Sequence, residues 1–106
     1  MKGHKIKEKI EIKIFLDIIN NIEEKEINTT DHTFFRLSEA QRKIFKDRVI
    51  KEFIKGQDPI LVGLQYNGCY AVFYDYSADK ALRVMLDIKG NTCEIVTFYI
   101  IDKNKI

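Results

Sequence analysis

Apolar and polar residues in the last third of the chain form four short runs that predict a β-sheet. Turn-forming residues separate the runs, and Asn67-Gly68 between the first two is a strong hairpin signal, because a type I′ turn needs positive φ at both central positions. The pattern therefore predicts a four-stranded antiparallel β-meander. Its strands are expected at Ile60–Tyr66, Cys69–Tyr76, Ala81–Ile88 and Thr92–Ile101.

The lengths of the three turns predict which residues share a face of this sheet. If the loops hold two, four and three residues, Tyr74 lies opposite Arg83, and Arg83 lies opposite Thr97. The row Tyr74–Arg83–Thr97 then crosses a polar and aromatic face that also carries Tyr70 and Tyr99. The same face is expected to include Gln65, Cys69, Val72, Tyr76, Met85, Asp87, Cys93 and Ile95.

The other face of the predicted sheet is almost wholly apolar, so the fold has to cover it. Apolar residues recur at helical spacing from Ile12 to Ile22, which favours a covering helix from about Ile10 to Glu24. Residues 4–14 also alternate with period two, so a strand at the start of this stretch is the alternative. The apolar face is expected to carry Ile60, Val62, Leu64, Ala71, Phe73, Leu82, Val84, Leu86, Val96, Phe98 and Ile100.

A second covering helix begins with a capping box, in which Ser38 is the N-cap and Gln41 the third helical residue. This helix is expected to run to about Lys55, with Gly56 ending it. Residues 26–31 before it are expected to be extended. The sequence thus predicts an α+β fold, with N-terminal helices packed on one face of a four-stranded antiparallel β-meander. We expect one domain over residues 1–106, with its helical part at about 6–56 and its sheet at about 59–102.

Composition narrows the class of protein only moderately. The chain has 106 residues, of which 45% are hydrophobic and 32% charged, and this balance fits one soluble domain with a single core. A net charge of +2 is too small to indicate a nucleic-acid partner by itself. No run is long enough to cross a bilayer, and no apolar signal-peptide centre occurs, so a cytoplasmic protein is expected. Cys69 and Cys93 lack metal-binding spacing and are interpreted as free thiols, so neither a metal nor a cofactor is predicted.

Five residues would together supply the chemistry of metal-free RNA cleavage. His32 and Arg36 are four residues apart, so a helical turn would place them on one side. Histidine transfers protons near neutral pH, and arginine offers a charged planar group that fits a phosphate. With Arg83, Thr97 and Tyr99 they provide an acid, a base, and donors that stabilise negative charge at phosphorus.

The chain resembles the barnase–colicin–RelE group of small, metal-independent ribonuclease toxins. The resemblance rests on helices followed by a four-stranded antiparallel sheet, on a His-x-x-x-Arg-Leu sequence before the long helix, and on the closing strand Ile-Val-Thr-Phe-Tyr-Ile. It extends over roughly residues 26–101. It implies that His32 is the general acid or base, that Arg36 and Arg83 bind the phosphate, that Thr97 contacts it, and that Tyr99 transfers a proton or stacks on a base.

The same resemblance implies RNA as the substrate and a cognate antitoxin protein as a partner. Family members often carry a second basic residue where this chain has Ala40, and Arg42 is the nearest basic side chain. Arg42 is therefore assigned to substrate binding, together with Tyr70 and Tyr74, whose rings are expected to stack on bases. Two alternatives remain open. One is a non-catalytic module that binds nucleic acid or protein through the aromatic face, and the other is a homodimer formed through a sheet face or edge.

Overall fold

The structure is a computed structural model that describes residues 5–29 and 38–106. Its architecture is α+β, as the sequence predicts. The elements are β1 (Ile6–Lys9), α1 (Ile12–Asn20), β2 (Ile27–Thr29), α2 (Glu39–Ile44), α3 (Asp47–Gly56), β3 (Leu61–Gln65), β4 (Tyr70–Asp75), β5 (Lys80–Lys89) and β6 (Thr92–Asp102), with short 3-10 turns at Glu24–Glu26 and Lys103–Lys105.

The sheet has six strands in the order β1-β3-β4-β5-β6-β2, so the prediction of a four-stranded sheet was wrong. The predicted meander forms its four central strands. One edge strand, β1, is antiparallel to β3, and the other, β2, is parallel to β6. Gly63 in β3 allows β1 to pack closely, because a Cβ atom there would lie 2.7 Å from Ile6 Cγ2. Both edge strands are too short, at four and three residues, to give a clear sequence pattern.

The N-terminal stretch contains both predicted alternatives, one after the other. The alternating residues form β1, and the stripe at helical spacing forms α1, which ends at Asn20 rather than at Glu24. Phe15 and Ile19 of this helix are fully buried. The amphipathic stripe therefore predicts the packed helix correctly, while the charged residues before it belong to an edge strand.

The predicted long helix is divided into α2 and α3. The capping box at its start is confirmed: the Gln41 N–H donates to Ser38 Oγ at 3.2 Å, and the Ser38 N–H donates to Gln41 Oε1 at 3.0 Å. The break follows Ile44, which is 61% exposed, and it turns Phe45 into the core at 2% exposure. The ring of Phe45 lies 5.8 Å from that of Phe98.

One face of the sheet, called the helix face below, packs against the helices. Its side chains share a single buried cluster with residues of α1 and α3, which places the main core between the sheet and these helices. The buried helix-face residues are Val62, Val72, Tyr74, Leu82, Val84, Leu86, Cys93, Ile95 and Phe98, and the helical residues include Phe15, Ile19, Ile50 and Ile54.

Lys55 of α3 joins the two main helices. Its Nζ atom donates to the carbonyl oxygens of Ile19 at 3.0 Å and Ile22 at 2.8 Å, where α1 ends. Carbonyls at a helix C-terminus lack intrahelical donors, and a cation there also complements the helix dipole. We expect Lys55→Met to lower the free energy of unfolding by about 1.5–3 kcal/mol in urea denaturation. Lys25→Met, which changes an exposed side chain, is the control with an expected change below about 0.5 kcal/mol.

Candidate functional site

The pairing of β4 differs by one residue from the register that the turns predict. Phe73, rather than Tyr74, lies opposite Arg83, and Tyr74 lies opposite Leu82. Residues directly opposite in a sheet share a face, so Tyr74 and Arg83 lie on opposite faces. The predicted row Tyr74–Arg83–Thr97 was therefore wrong.

The cause is the length of the two loops that flank β4. The Gln65 N–H donates to the Cys69 carbonyl at 2.9 Å, so the first loop holds three residues instead of two, and Gly68 takes the left-handed φ of 89°. The Tyr76 N–H donates to the Lys80 carbonyl at 3.2 Å, which shortens the second loop from four residues to three. The first change shifts β4 by one residue relative to β3, and the second shifts it by one residue relative to β5. Together they turn β4 over, so that each of its side chains lies on the face opposite to the predicted one.

The reversal moves the two tyrosines assigned to substrate binding to the helix face. Tyr70 is half-buried, with its ring 6.2 Å from that of Phe15, and Tyr74 is fully buried, with its ring 6.0 Å from that of Phe53. Both lie on the helix face. The prediction that both rings lie on the same face as Arg83 was therefore wrong. Base stacking by Tyr70, which is partly exposed, stays a prediction.

Arg83, Thr97 and Tyr99 are brought together on the opposite face of the sheet. Arg83 lies directly opposite both Phe73 and Tyr99, and Thr97 is in the adjacent row, opposite Met85. Thr97 is thus a diagonal neighbour of Arg83, at a distance that long side chains span. We call this side of the sheet the Arg83 face and define it by Gln65, Ala71, Phe73, Ala81, Arg83, Met85, Thr97 and Tyr99. Arg83 and Tyr99 are partly exposed, and the other six residues are buried.

Aromatic rings hold the Arg83 guanidinium. Its Cζ atom lies 5.2 Å from the centre of the Phe73 ring and 6.0 Å from the centre of the Tyr99 ring. Such contacts orient the cation and stabilise it by about 1 kcal/mol. The side chain is partly exposed, although its Nε atom is shielded from solvent. Phe73, which the predicted register assigned to the apolar face, is therefore a site residue that the sequence did not reveal.

A β-bulge in β6 determines on which face of the sheet Thr97 lies. Leu86 pairs with Ile95 and Met85 pairs with Thr97, so Val96 is an extra residue in the strand. In a regular strand, Ile95 and Thr97 would share a face, as the sequence predicted. The bulge instead keeps Ile95 in the core and places Thr97 on the Arg83 face. The predicted positions of Ile95 on the polar face and Val96 in the core were therefore wrong.

Two buried hydroxyl groups have no hydrogen-bond partner within residues 5–29 and 38–106. They are Thr97 Oγ1, in a residue that is 8% exposed, and the phenol oxygen of Tyr74. Burial, with a smaller contribution from Cys93, raises the pKa of the Tyr74 phenol above its usual value, so this group stays neutral. An unpaired buried hydroxyl costs about 1–3 kcal/mol, so each one calls for an explanation.

The Arg83 face becomes acidic four residues beyond Arg83 along β5. Asp87 lies directly opposite Glu94, and both carboxylates, after burial itself, raise the pKa of the nearby Cys69 thiol. Burial raises the pKa of Cys93 to about 12, and this residue belongs to the helix-face core rather than to the predicted polar face. Both cysteines are free. The positive charge of Arg83 therefore lies among aromatic and apolar side chains together with Thr97, and the negative charges of Asp87 and Glu94 lie beyond them.

The positions of the other predicted site residues contribute little to the description of the site. His32 and Arg36 lie outside the described residues, and Arg42 belongs to α2 but its side chain is not described. Among the described ranges, no group of three acidic, cysteine or histidine side chains is arranged to hold a metal ion. None of the helices in these ranges has the length and apolar character that a membrane crossing requires.

Comparisons with protein-family models, curated proteins and solved structures give no match to this chain. The function is therefore inferred from the residues around Arg83.

Proposed function

We propose that the chain is a toxin-like, metal-independent endoribonuclease that cleaves RNA by acid–base catalysis. One observation supports this proposal above all: Arg83, Thr97 and Tyr99 share a sheet face on which aromatic rings orient the guanidinium. Arginine held in this way is suited to a phosphodiester, because its planar N–H groups match the phosphate oxygens.

The chemistry follows from the way RNA is cleaved without a metal. The 2′-hydroxyl loses a proton and attacks phosphorus, and the leaving 5′-oxygen gains a proton. Negative charge builds up on the phosphoryl oxygens during this step, and Arg83 stabilises it. Tyr99 lies directly opposite Arg83, and we assign it to proton transfer or base stacking. His32 remains the predicted acid or base, and Arg36 the predicted second cation.

The biological setting in this proposal is that of a toxin. RNA is the substrate, a cognate antitoxin is the protein partner, and the cytoplasm is the compartment. A non-catalytic binding module is the alternative. Tyr74 is fully buried on the helix face, so this module would rely on Tyr99, which stays on the Arg83 face. Homodimerisation is retained as a prediction that sedimentation would check.

The proposal is tested by incubating the native chain with synthetic single-stranded RNA and total RNA in excess EDTA, and with ribosome-bound RNA in a magnesium buffer that keeps the ribosomes intact. We expect cleavage that leaves 2′,3′-cyclic phosphate ends, because these are the products of attack by the 2′-hydroxyl. RNA with 2′-O-methyl groups is the matched control, and it should stay intact because it lacks the nucleophile.

Two results would reject this function. One is the absence of cleavage with every RNA substrate, and the other is equal cleavage of the 2′-O-methyl control. RNA that binds in fluorescence anisotropy without being cleaved would instead identify a binding module.

A further inference from the structure

The turn between β3 and β4 contains Asn67-Gly68, a dipeptide that is chemically reactive as well as turn-forming. Asn67 is the only asparagine of the sequence that glycine follows. Both residues are exposed, and a Cβ atom built on Gly68 would meet nothing within 4 Å. The side-chain amide of Asn67 is therefore open to water and has no side chain of the next residue in its way.

The reaction available to this dipeptide is deamidation through a cyclic imide. The backbone nitrogen of Gly68 attacks Cγ of Asn67 and forms a new N–Cγ bond, while the bond from Cγ to Nδ2 breaks. Ammonia leaves with the proton that the glycine nitrogen loses. Water then opens the ring at one of its two carbonyl carbons and gives aspartate or isoaspartate. One water molecule is consumed and one ammonia released, so the reaction needs no oxidant, reductant or cofactor.

One hydrogen bond within the turn favours the attack. The Cys69 N–H donates to Asn67 Oδ1 at 3.0 Å. Negative charge builds up on this oxygen when Cγ becomes tetrahedral, and a backbone donor that is already in place stabilises such charge. The turn therefore supplies its own oxyanion donor to the reacting amide.

A second hydrogen bond has to open before the attack. The Gly68 N–H donates to the Gln65 carbonyl at 3.1 Å, which holds the attacking nitrogen within the turn. Both turn residues are exposed, and hydrogen bonds in exposed loops open locally at a much lower free energy than global unfolding requires. The nitrogen is therefore released while the rest of the sheet stays folded.

We infer that Asn67 is a site of spontaneous deamidation in the folded protein and that the Cys69 N–H promotes the reaction. This inference does not depend on the proposed ribonuclease function. Its consequence lies in the turn that sets the register of β4, which closes on the hydrogen bond from the Gln65 N–H to the Cys69 carbonyl.

The isoaspartate product should loosen this turn. Its main chain passes through Cβ and Cγ of residue 67, so the turn gains one backbone atom and loses the side-chain acceptor of the Cys69 N–H. We expect the purified isoaspartate form to have an about tenfold lower equilibrium constant for folding, as the loss of one or two hydrogen bonds predicts. Asn67→Asp keeps the length of the turn and an acceptor oxygen, so its folding constant should stay close to the native value.

The site is tested by incubating the native full-length chain at mildly alkaline pH and measuring amide loss at each asparagine by peptide mass spectrometry. Asn91 is the internal control, because it lies exposed in the β5–β6 turn but precedes Thr92. Asn67 should react more than about tenfold faster, because glycine leaves its nitrogen unobstructed and a β-branched residue does not. Asn67 that reacts no faster than Asn91 would overturn the site.

Lys55→Met distinguishes a reaction of the folded protein from one of the unfolded chain. This change is expected to destabilise the whole fold without altering the turn. Local opening predicts a rate at Asn67 within about twofold of the native rate. A rate that rises in proportion to the unfolded fraction would show instead that the folded turn protects Asn67.

Thr92→Gly tests the role of the Cys69 N–H, because it gives Asn91 a glycine neighbour as well. Within the described residues, the Asn91 side chain accepts no hydrogen bond. Asn67 should still react about fivefold faster than Asn91 in this variant, the factor expected from one hydrogen bond to the developing charge. Equal rates would reject the role of the Cys69 N–H and leave Asn67 as a site determined by its glycine neighbour alone.

Discussion

Arg83→Ala is expected to lower kcat/KM for RNA cleavage by about 100- to 1000-fold, the loss that follows removal of one preorganised group that stabilises transition-state charge. The guanidinium is preorganised here because Phe73 and Tyr99 hold it at 5.2 Å and 6.0 Å from their ring centres. Arg83→Lys keeps the charge but loses the planar set of donors, so its loss should be intermediate. Initial rates at several RNA concentrations would give kcat and KM separately.

Arg48→Ala is the matched control for this experiment. Arg48 lies with its side chain 85% exposed and 3.8 Å from Glu52, on α3, which packs against the helix face on the other side of the sheet. Its removal should leave the rate unchanged, because exposed ion pairs contribute little and the total charge falls by the same amount as in Arg83→Ala. Equal losses in the two variants would assign the effect to net charge, and an unchanged rate in Arg83→Ala would remove Arg83 from the site.

The amphipathic parts of the fold were predictable from the sequence. The stripe that begins at Ile12 predicts α1, and the Ser38 and Gln41 capping box predicts the start of α2, because each pattern has a local physical cause. The four central strands were also predictable, since turn-forming residues separate them. The edge strands β1 and β2 depend on contacts with distant strands, which a local pattern does not contain.

The register of β4 was not predictable because its residues are apolar or aromatic on both faces. Ala71, Val72 and Phe73 are all buried, so the strand has no polar side that would identify its orientation. The turn before it gave no help, because Gly68 suits both a two-residue loop and a three-residue loop that ends in a left-handed residue. One shift of this kind was enough to exchange Tyr74 for Phe73 beside Arg83.

The bulge did leave a signal in the sequence. The core residues Cys93 and Ile95 are two apart, and so are Phe98 and Ile100, but Ile95 and Phe98 are three apart. This change of phase indicates an extra residue in the strand. The sequence nevertheless assigned Arg83, Thr97 and Tyr99 correctly to one face. The observed partner of Arg83, Tyr99, is two residues from the predicted partner, Thr97, and a shift by an even number of residues leaves a side chain on the same face.

Tyr74 provides the sharpest test of the observed register. Because it is fully buried on the helix face, Tyr74→Ala should lower the free energy of unfolding by about 3–5 kcal/mol, as expected for a large side chain removed from a packed core. Tyr74→Phe should instead raise it by about 1 kcal/mol, because it removes a buried hydroxyl without a partner in the described residues. Urea denaturation followed by circular dichroism would measure both changes.

The two registers predict opposite results for Tyr74→Phe in the RNA assay. On the helix face, the hydroxyl is separated from Arg83 by the sheet, so Tyr74→Phe should be more stable and equally active. Beside Arg83, where turn lengths alone would place it, the same change would lower activity and leave stability nearly unchanged. Tyr66→Phe, at a site that is 64% exposed, should alter neither quantity. A Tyr74→Phe protein that is more stable and fully active would therefore show that Tyr74 packs in the core and that Phe73 and Tyr99 are the aromatic residues beside Arg83.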